Sequence, residues 1–183
     1  MHNETPAIRT QAERSPHKEH SVPVYLTSSF VFDDAEEMRA AFADEIERNI
    51  YSRFTNPNVT EFVDKMCQLE GAEAGYATAT GMAAVFATFA GLLSVGDHIV
   101  SGRAIFGSTH TILTKILPRF GITHSYVDVA DGIDGWAAAI TPATRMIFVE
   151  TPTNPGLEIA DLDALGALAA ARGVLLVVDN CMA

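Results

Sequence analysis

The sequence predicts an α/β fold in which a mostly parallel sheet is covered by helices on both faces. Strand-like and helical segments alternate through the second half of the chain, which is typical of repeated βα units. The last such segment, Val174 to Asn180, reads VLLVVDN and is typical of a strand buried on both faces of a parallel sheet. The 183 residues are 48% hydrophobic and 19% charged, which indicates a globular domain with a sizeable core.

The first 24 residues carry scattered charges and no periodicity, and they include Pro6, Pro16 and Pro23. This composition predicts an extended or poorly ordered arm. In an oligomer, such an arm often reaches across to a neighbouring subunit. A short β-prone segment, Tyr25 to Phe32, follows it.

Two helices are predicted before the alternation begins. The first starts at Asp33 and Asp34, and its apolar residues recur four apart at Met38, Phe42 and Ile46. The second follows the loop YSRFTNPN. Asn58 is expected to cap it with Glu61 in a capping box, and Gly71 is expected to end it.

The alternating segments have the lengths expected of strands and helices. The strands are expected near Gly75–Thr78, His98–Ser101, Thr123–Val129, Arg145–Glu150 and Val174–Asp179. The helices between them are expected near Met82–Leu93, Thr109–Leu117, Ile133–Ala139 and Leu162–Arg172.

The charge balance excludes several classes of partner. Twelve Lys and Arg against 23 Asp and Glu give a formal charge of −11 without a basic run, which argues against nucleic acid and membrane surfaces. Cys67 and Cys181 do not form a disulfide framework, and the six histidines are scattered singly, so no metal site is expected. The polar N-terminus lacks the apolar region of a secretory signal, which makes the cytoplasm the expected location.

Asp179 ends the last predicted strand, at the sheet edge where open α/β proteins bind ligands. A buried carboxylate there needs a partner from the fold or from a ligand. A second signal is Gly81 at the start of a helix, whose unpaired N–H groups suit a phosphate. A plain tight turn explains Gly81 equally well.

Three loops offer further candidate side chains. In YSRFTNP, Tyr51 and Arg53 could bind one anion, although a stiff surface loop is the alternative. In AIFGST, Phe106 could stack on a flat ring or serve as core. In ETPTNPG, Asn154 could donate to a carboxylate or a ring oxygen, or the segment could be a rigid crossover loop.

In chain order the motifs are YSRFTNP, GMAA, FGST, ETPTNP and VVDN. This series resembles the pyridoxal-phosphate enzymes of cysteine and methionine metabolism, the trans-sulfuration family, over nearly all of the chain from about Val22. The resemblance implies an incomplete large domain of pyridoxal-phosphate fold type I. We expect the arm and first helix over residues 1–50 and the cofactor-binding α/β domain over residues 51–183, truncated at its C-terminal side.

The resemblance implies pyridoxal 5'-phosphate as cofactor and assigns residues to hold it. Gly81 and Met82 would bind the phosphate through their backbone, and Tyr51 and Arg53 would reach that phosphate from the neighbouring subunit. The family's assembly implies a homo-oligomer, a dimer of dimers. Phe106 would stack on the pyridine ring.

Three acidic and amide side chains complete the implied site. Asp179 would pair with the protonated ring nitrogen, and Asn154 would lie beside the ring oxygen and the carboxylate of an amino acid substrate. Glu150 matches the family's usual acid at the strand end. Phe106, Glu150 and Asp179 are the residues to which the resemblance assigns catalytic roles.

Two local features favour one branch of the family. Its lyases usually carry Tyr where this chain has Phe106, and the Asp-Asn-Cys of residues 179–181 is similar to that of the sulfhydrylases. The resemblance therefore implies γ-replacement on O-succinyl- or O-acetylhomoserine with sulfide, which yields homocysteine for methionine biosynthesis. Cystathionine γ-synthase or γ-lyase is the alternative.

The family's Schiff-base lysine has no match in this chain, whose lysines are Lys18, Lys65 and Lys115. We therefore expect the 183 residues alone to bind cofactor without catalysis. A non-catalytic fragment that only associates with full-length subunits is the alternative from another functional class.

Overall fold

The computed structural model describes residues 4–11 and 14–183, and the chain divides into two compact units after Thr78. The N-terminal unit contains helices α1 (Glu4–Arg9), α2 (Ala35–Phe42) and α3 (Pro57–Glu70). Helix α1 lies within the segment predicted as an arm; residues 1–3 and 12–13 of that segment lie outside the described residues. The expected strand at residues 75–78 is irregular backbone.

The caps of α2 and α3 differ in part from the prediction. Helix α2 ends at Phe42, so Ile46 lies outside it, and Asp44 has a positive φ of 55°. Helix α3 is capped by Asn56 rather than Asn58, because Pro57 occupies the first helical position, where its fixed φ fits. Gly71 ends α3 in the left-handed conformation, as predicted.

The segment before α2 is tied to the loop before α3 by two asparagine side chains. Asn58 accepts from the Tyr25 N–H at 2.8 Å and donates to the Pro23 carbonyl at 2.8 Å. Asn56 donates to the Tyr25 carbonyl at 3.1 Å. An antiparallel bridge between Ser29 and Tyr51 continues this connection.

The C-terminal unit alternates helices and strands, which confirms the predicted α/β class. Its helices are α4 (Gly81–Leu92), α5 (Gly107–Thr111), α6 (Gly132–Ala139) and α7 (Leu162–Arg172). Its strands are β1 (His98–Gly102), β2 (Thr123–Val127), β3 (Thr144–Glu150) and β4 (Leu175–Asp179).

The four strands form one parallel sheet in the order β2-β1-β3-β4. Strands β3 and β4 pair so that Glu150 stands beside Asp179 at their carboxyl ends. Hydrophobic cores cover both faces of the sheet. One contains Phe89 of α4 against Phe148, with ring centroids 5.1 Å apart, and the other packs Trp136 of α6 and Leu165 of α7 against the opposite face.

The prediction that the last strand is buried on both faces is wrong. Strand β4 is an edge strand with one neighbour, so Leu175 is 47% exposed and the four residues after it are half-buried. Its apolar sequence reflects the cores above and below the sheet, to which Val177 and Val178 contribute on opposite faces.

The helix predicted at residues 109–117 is three short helices in series. After α5, residues Ile112–Ile116 form a π-helical turn, and Leu117–Phe120 form a 3-10 turn. Pro118 lies at the start of that last turn, where its missing N–H and ring prevent a regular α-helical continuation.

Candidate active site

A cleft of about 550 Å³ opens at the carboxyl edge of the sheet in the C-terminal unit. Six of the residues singled out from the sequence line it. They are Gly81, Met82, Phe106, Glu150, Asn154 and Asp179. Four segments that are distant in the chain therefore meet at one place.

The N-terminus of α4 forms one end of this cleft. Thr80 caps the helix with its hydroxyl, which accepts from the Ala83 N–H at 3.1 Å. Gly81 and Met82 follow in the first turn, where backbone N–H groups have no partner within the helix. Apart from the neighbouring residues and backbone of α4 itself, a Cβ added at Gly81 would meet no protein atom within 4 Å, so the space beside this turn is open. The turn thus fits a phosphate group.

Phe106 presents an accessible aromatic face at the end of the segment that follows β1. It immediately precedes α5, and its side chain is 47% exposed. Its backbone N–H donates to Glu150 Oε2 at 2.6 Å, and its carbonyl accepts from the His110 N–H at 3.0 Å. The backbone is therefore held from both sides, while the ring remains available to a ligand.

Glu150 is the most buried polar side chain of the cleft, with 5% exposure. Besides the bond from Phe106, its Oε1 accepts from the Asn154 N–H at 3.0 Å. Each carboxylate oxygen thus accepts one backbone N–H, which offsets the cost of burying the charge. Asn154 is itself exposed, so its side-chain amide is accessible at the cleft.

The loop that carries Asn154 is fastened by threonine hydroxyls. Thr153 is 1% exposed, and its Oγ1 accepts from the Glu158 N–H at 2.9 Å. Thr151 Oγ1 accepts from the Ala160 N–H at 3.0 Å. These bonds give the loop a defined path.

Asp179 is half-buried rather than fully buried, because it ends the edge strand β4. Its Oδ1 accepts from the Cys181 N–H at 3.2 Å. The Cys181 thiol also bonds to this carboxylate, and that hydrogen bond raises the pKa of Cys181 above its ordinary value, with the negative charge of Asp179 acting in the same direction. The carboxylate is accessible to a cation that enters the cleft.

Tyr51 and Arg53 belong to the N-terminal unit. Arg53 is exposed, and its guanidinium carbon lies 5.1 Å from the centre of the Tyr51 ring. The guanidinium therefore lies over the face of the Tyr51 ring. Their role toward a phosphate stays a prediction.

The sequence analysis missed several residues of the cleft. Thr80 is the cap of α4, and the pattern of Thr followed by a helix start could have revealed it. Phe148 and Val177 form part of the apolar wall of the cleft. The sequence indicates only that each belongs to an apolar strand. Met182 and Cys181, the latter noted only as part of the Asp-Asn-Cys motif, lie beyond β4 in a segment that carries no periodic signal.

Within residues 4–11 and 14–183, no group of three or more His, Cys, Asp or Glu side chains is arranged to hold a metal ion. Over the same residues, no helix combines the length and the apolar character needed to span a membrane.

The cleft combines features that suit a flat, phosphorylated, nitrogen-containing ring. A helix N-terminus attracts the phosphate, an aromatic side chain covers a ring, and a carboxylate attracts a protonated nitrogen. Asn154 adds an amide that hydrogen-bonds oxygen. Pyridoxal phosphate contains a phosphate, a pyridine ring and a hydroxyl oxygen attached to that ring, so these residues fit it.

Comparison with known proteins gives concordant results. The family model for Cys/Met metabolism PLP-dependent enzymes matches residues 4–183. The O-succinylhomoserine sulfhydrylase of Pseudomonas aeruginosa is 44% identical over 178 residues, which are 97% of this chain and 44% of that protein. The L-methionine γ-lyase of Fusobacterium nucleatum subsp. polymorphum is 38% identical over 180 residues, which are 98% of this chain and 45% of that protein.

A solved structure from Campylobacter jejuni, which carries N'-pyridoxyl-lysine-5'-monophosphate, matches with a TM-score of 0.92 and 30% identity. The match covers 98% of this chain and 44% of the other. The present chain thus spans less than half the length of the relatives that it matches.

Proposed function

Because the chain belongs to the pyridoxal-phosphate-dependent enzymes of cysteine and methionine metabolism, we propose that it forms the cofactor-binding part of a homoserine-ester sulfhydrylase. The reaction is γ-replacement: the ester group of O-succinyl- or O-acetylhomoserine leaves, and sulfide takes its place to give homocysteine. The observation that carries the proposal is the cleft in which Gly81, Phe106, Asn154 and Asp179 meet.

The first turn of α4 binds the cofactor phosphate in this proposal. Gly81 and Met82 supply backbone N–H groups at the positive end of the helix dipole. Thr80 keeps this turn in place through its bond to the Ala83 N–H. Gly81 also leaves room for the phosphate, since a Cβ there would project into open space.

Phe106 and Asp179 orient the ring. The exposed face of Phe106 covers it, and the carboxylate of Asp179 holds a proton on the ring nitrogen. The bound cofactor supplies an electron sink that makes a carbanion at the substrate α-carbon accessible. Asp179 strengthens that property because it keeps the ring nitrogen cationic.

Asn154 binds the substrate side of the site. Its amide stands at the cleft on a loop fixed by Thr151 and Thr153, so it can donate to the substrate carboxylate. Phe106 has no hydroxyl that could deliver a proton to a leaving group. This absence favours replacement over the elimination carried out by a lyase.

The 183 residues bind the cofactor without completing the reaction in this proposal. No lysine is among the described residues that line the cleft. Lys65 is paired with Glu61 in α3, at 2.5 Å, and Lys115 lies in the π-helical turn after α5. The group that holds the cofactor covalently would come from outside this chain.

Cofactor binding is tested by incubating the purified chain with pyridoxal phosphate, reducing with borohydride and mapping peptides. We expect saturable binding that is about 10- to 100-fold weaker in Asp179→Asn. We also expect that no single lysine is labelled in proportion to the bound cofactor. Stoichiometric labelling of Lys18, Lys65 or Lys115 would overturn the proposal that the chain lacks the covalent anchor.

The reaction is tested on the enzyme that contains this chain. It is supplied with O-succinyl- or O-acetylhomoserine and sulfide, and homocysteine is measured. We expect homocysteine from at least one ester. The similarity to a methionine γ-lyase makes γ-elimination the second candidate. Faster release of 2-oxobutyrate from methionine or cystathionine than of homocysteine from either ester would favour it.

Tyr51 and Arg53 act on a neighbouring subunit in this proposal. Arg53 is exposed, and its position over the Tyr51 ring presents a phenol and a guanidinium together. Both groups suit a phosphate. In the enzyme that contains the chain, Arg53→Met is expected to weaken cofactor binding. Mixing it with a subunit inactive for another reason should restore activity in part if the site is shared.

A further inference from the structure

Glu150 differs from the other polar residues of the cleft because both of its oxygens are used within the protein. Oε2 accepts from the Phe106 N–H at 2.6 Å, and Oε1 accepts from the Asn154 N–H at 3.0 Å. The side chain is 5% exposed. Both oxygens of the carboxylate are therefore engaged as hydrogen-bond acceptors from backbone N–H groups.

These two bonds connect segments that are far apart in the chain. Phe106 belongs to the segment after β1, forty-four residues before Glu150, whereas Asn154 lies four residues after it, in the loop after β3. The backbone N–H groups of both segments donate to the same side chain, that of Glu150. Its carboxylate therefore links the backbone of Phe106 directly to that of Asn154 and helps to set the spacing between the Phe106 ring and the Asn154 amide.

The exposure of the two partners makes this spacing depend on Glu150. Phe106 is 47% exposed and Asn154 is exposed, so neither side chain is fixed by tight packing. Glu150 is instead fixed by β3, whose residues Met146 to Val149 are all buried. Because Glu150 is fixed at the end of the buried strand β3, its carboxylate restrains the backbones of Phe106 and Asn154.

We propose that Glu150 is a positioning residue, which sets the tilt of the cofactor ring through the backbones of Phe106 and Asn154 and does not itself transfer a proton. This inference rests on the proposed function for the identity of the ring. It deepens that function because it gives the acid at the end of β3 a task different from that of Asp179.

Glu150→Gln is the sharpest test, since the amide has nearly the same shape but only one acceptor oxygen. Its NH₂ group would face a backbone N–H, so one of the two bonds must break. Glu158→Gln is the matched control, because Glu158 is exposed and does not line the cleft. Glu150→Asp, which keeps the charge but shortens the side chain, is expected to be intermediate.

Amide hydrogen exchange tests the positioning in the chain without any ligand. In Glu150→Gln we expect the amide of Phe106 or Asn154 to exchange about tenfold faster than in the wild type, while amides of β1 and β3 are unchanged. Unchanged exchange at both amides would overturn the inference. Equal acceleration throughout the sheet would also overturn it, because Glu150 would then stabilise the whole unit.

Binding tests the consequence for the ring. Pyridoxamine 5'-phosphate is the probe, because it needs no lysine, and inorganic phosphate tests the α4 turn by itself. We expect Glu150→Gln to weaken pyridoxamine phosphate binding about tenfold and to change the circular dichroism of the bound ring, with phosphate affinity within twofold of the wild type.

The outcomes separate this inference from the proposed function. Wild-type affinity and an unchanged ring signal in Glu150→Gln would overturn the effect on the ring. Equal loss of both probes would assign Glu150 a general structural role and overturn the inference. If the wild type itself bound no pyridoxamine phosphate, the proposed function would fail, whereas amide exchange would still decide the role of Glu150.

Discussion

Glu150 and Asp179 are register partners at the carboxyl ends of β3 and β4, yet their carboxylates face different partners. Partners in adjacent parallel strands project to the same face of the sheet, and both side chains line the cleft. Glu150 accepts two backbone N–H groups from the segments around it. Asp179 is bound locally to Cys181 and is the more accessible of the two.

Replacing Asp179 by Asn is expected to weaken pyridoxamine phosphate binding by about 10- to 100-fold, because a hydrogen bond to a charged partner contributes about 1.5–3 kcal/mol. Equilibrium dialysis measures the affinity. Asp134→Asn, on the exposed surface of α6, is the control and should bind like the wild type. An unchanged affinity in Asp179→Asn would contradict the pairing with a ring nitrogen.

Replacing Phe106 by Leu is expected to weaken binding of the same probe roughly fivefold, because aromatic stacking contributes about 1 kcal/mol beyond area burial. Phe106→Tyr keeps the aromatic face and should retain wild-type affinity. The same dialysis measurement compares the two variants. Equal affinities in Leu and Tyr variants would show that the ring of Phe106 does not stack on the ligand.

Replacing Thr80 by Ala is expected to destabilise the C-terminal unit by about 1 kcal/mol through loss of the α4 cap. Thr80→Ser keeps the hydroxyl and should lose much less. Urea denaturation measures the free energy of unfolding. The inorganic phosphate affinity should fall in the same order, and a stable Ala variant would contradict the role of the cap.

His98 gives the C-terminal unit a pH-dependent stability. Its Nδ1 lies 2.8 Å from Thr144 Oγ1 and its Nε2 lies 3.0 Å from Ser125 Oγ, so it joins three strands. Burial lowers the pKa of His98 below the ordinary value of 6.5, and burial likewise lowers the pKa of His124. The unfolded chain therefore binds more protons than the folded one just below pH 6.5.

The contribution of neutral His98 to the free energy of unfolding is accordingly fully present above pH 6.5. It should decrease as the pH falls from 6.5 through the lowered pKa of His98. Urea midpoints at pH 5 and pH 7.5 measure the difference. His98→Gln should be less stable at pH 7.5 but should show a smaller difference between the two pH values. A wild-type midpoint that does not change with pH would contradict this prediction.

Replacing Asn58 by Ala is expected to release the segment around Tyr25, because two hydrogen bonds of about 1 kcal/mol each are lost. Hydrogen exchange at the Tyr25 amide should become faster. Asn58→Asp keeps the acceptor oxygen and should preserve protection of that amide. Protection that survives in the Ala variant would show that other contacts hold the segment.

The strands could be located from the sequence because each apolar run is bounded by turns. The predicted bounds of these four strands differ from the observed bounds of β1, β2, β3 and β4 by at most two residues. The exposure of β4 could not be predicted, since the same apolar run suits an edge strand that packs on both faces. The order of strands in the sheet depends on which strands pair, and the sequence of one strand does not specify its neighbours.

The start of α4 at Gly81 could be predicted from neighbouring residues, although the strand expected before it is irregular backbone. The bond from Phe106 to Glu150 has no local cause, because its partners are forty-four residues apart. Likewise, the capping residue of α3 was misassigned to Asn58. The choice between two asparagines depended on Pro57 and on the contacts that Asn58 makes with a distant segment.

Asn56 and Asn58 join residues 23–25 to the start of α3 through their side chains. These hydrogen bonds restrain the loop that carries Tyr51 and Arg53. Any displacement of the early segment is passed to this loop through Asn56 and Asn58. Insertions before Pro23 should thus be tolerated far better than insertions at residues 24–28. A fusion tag placed at the N-terminus should leave the geometry of the loop intact.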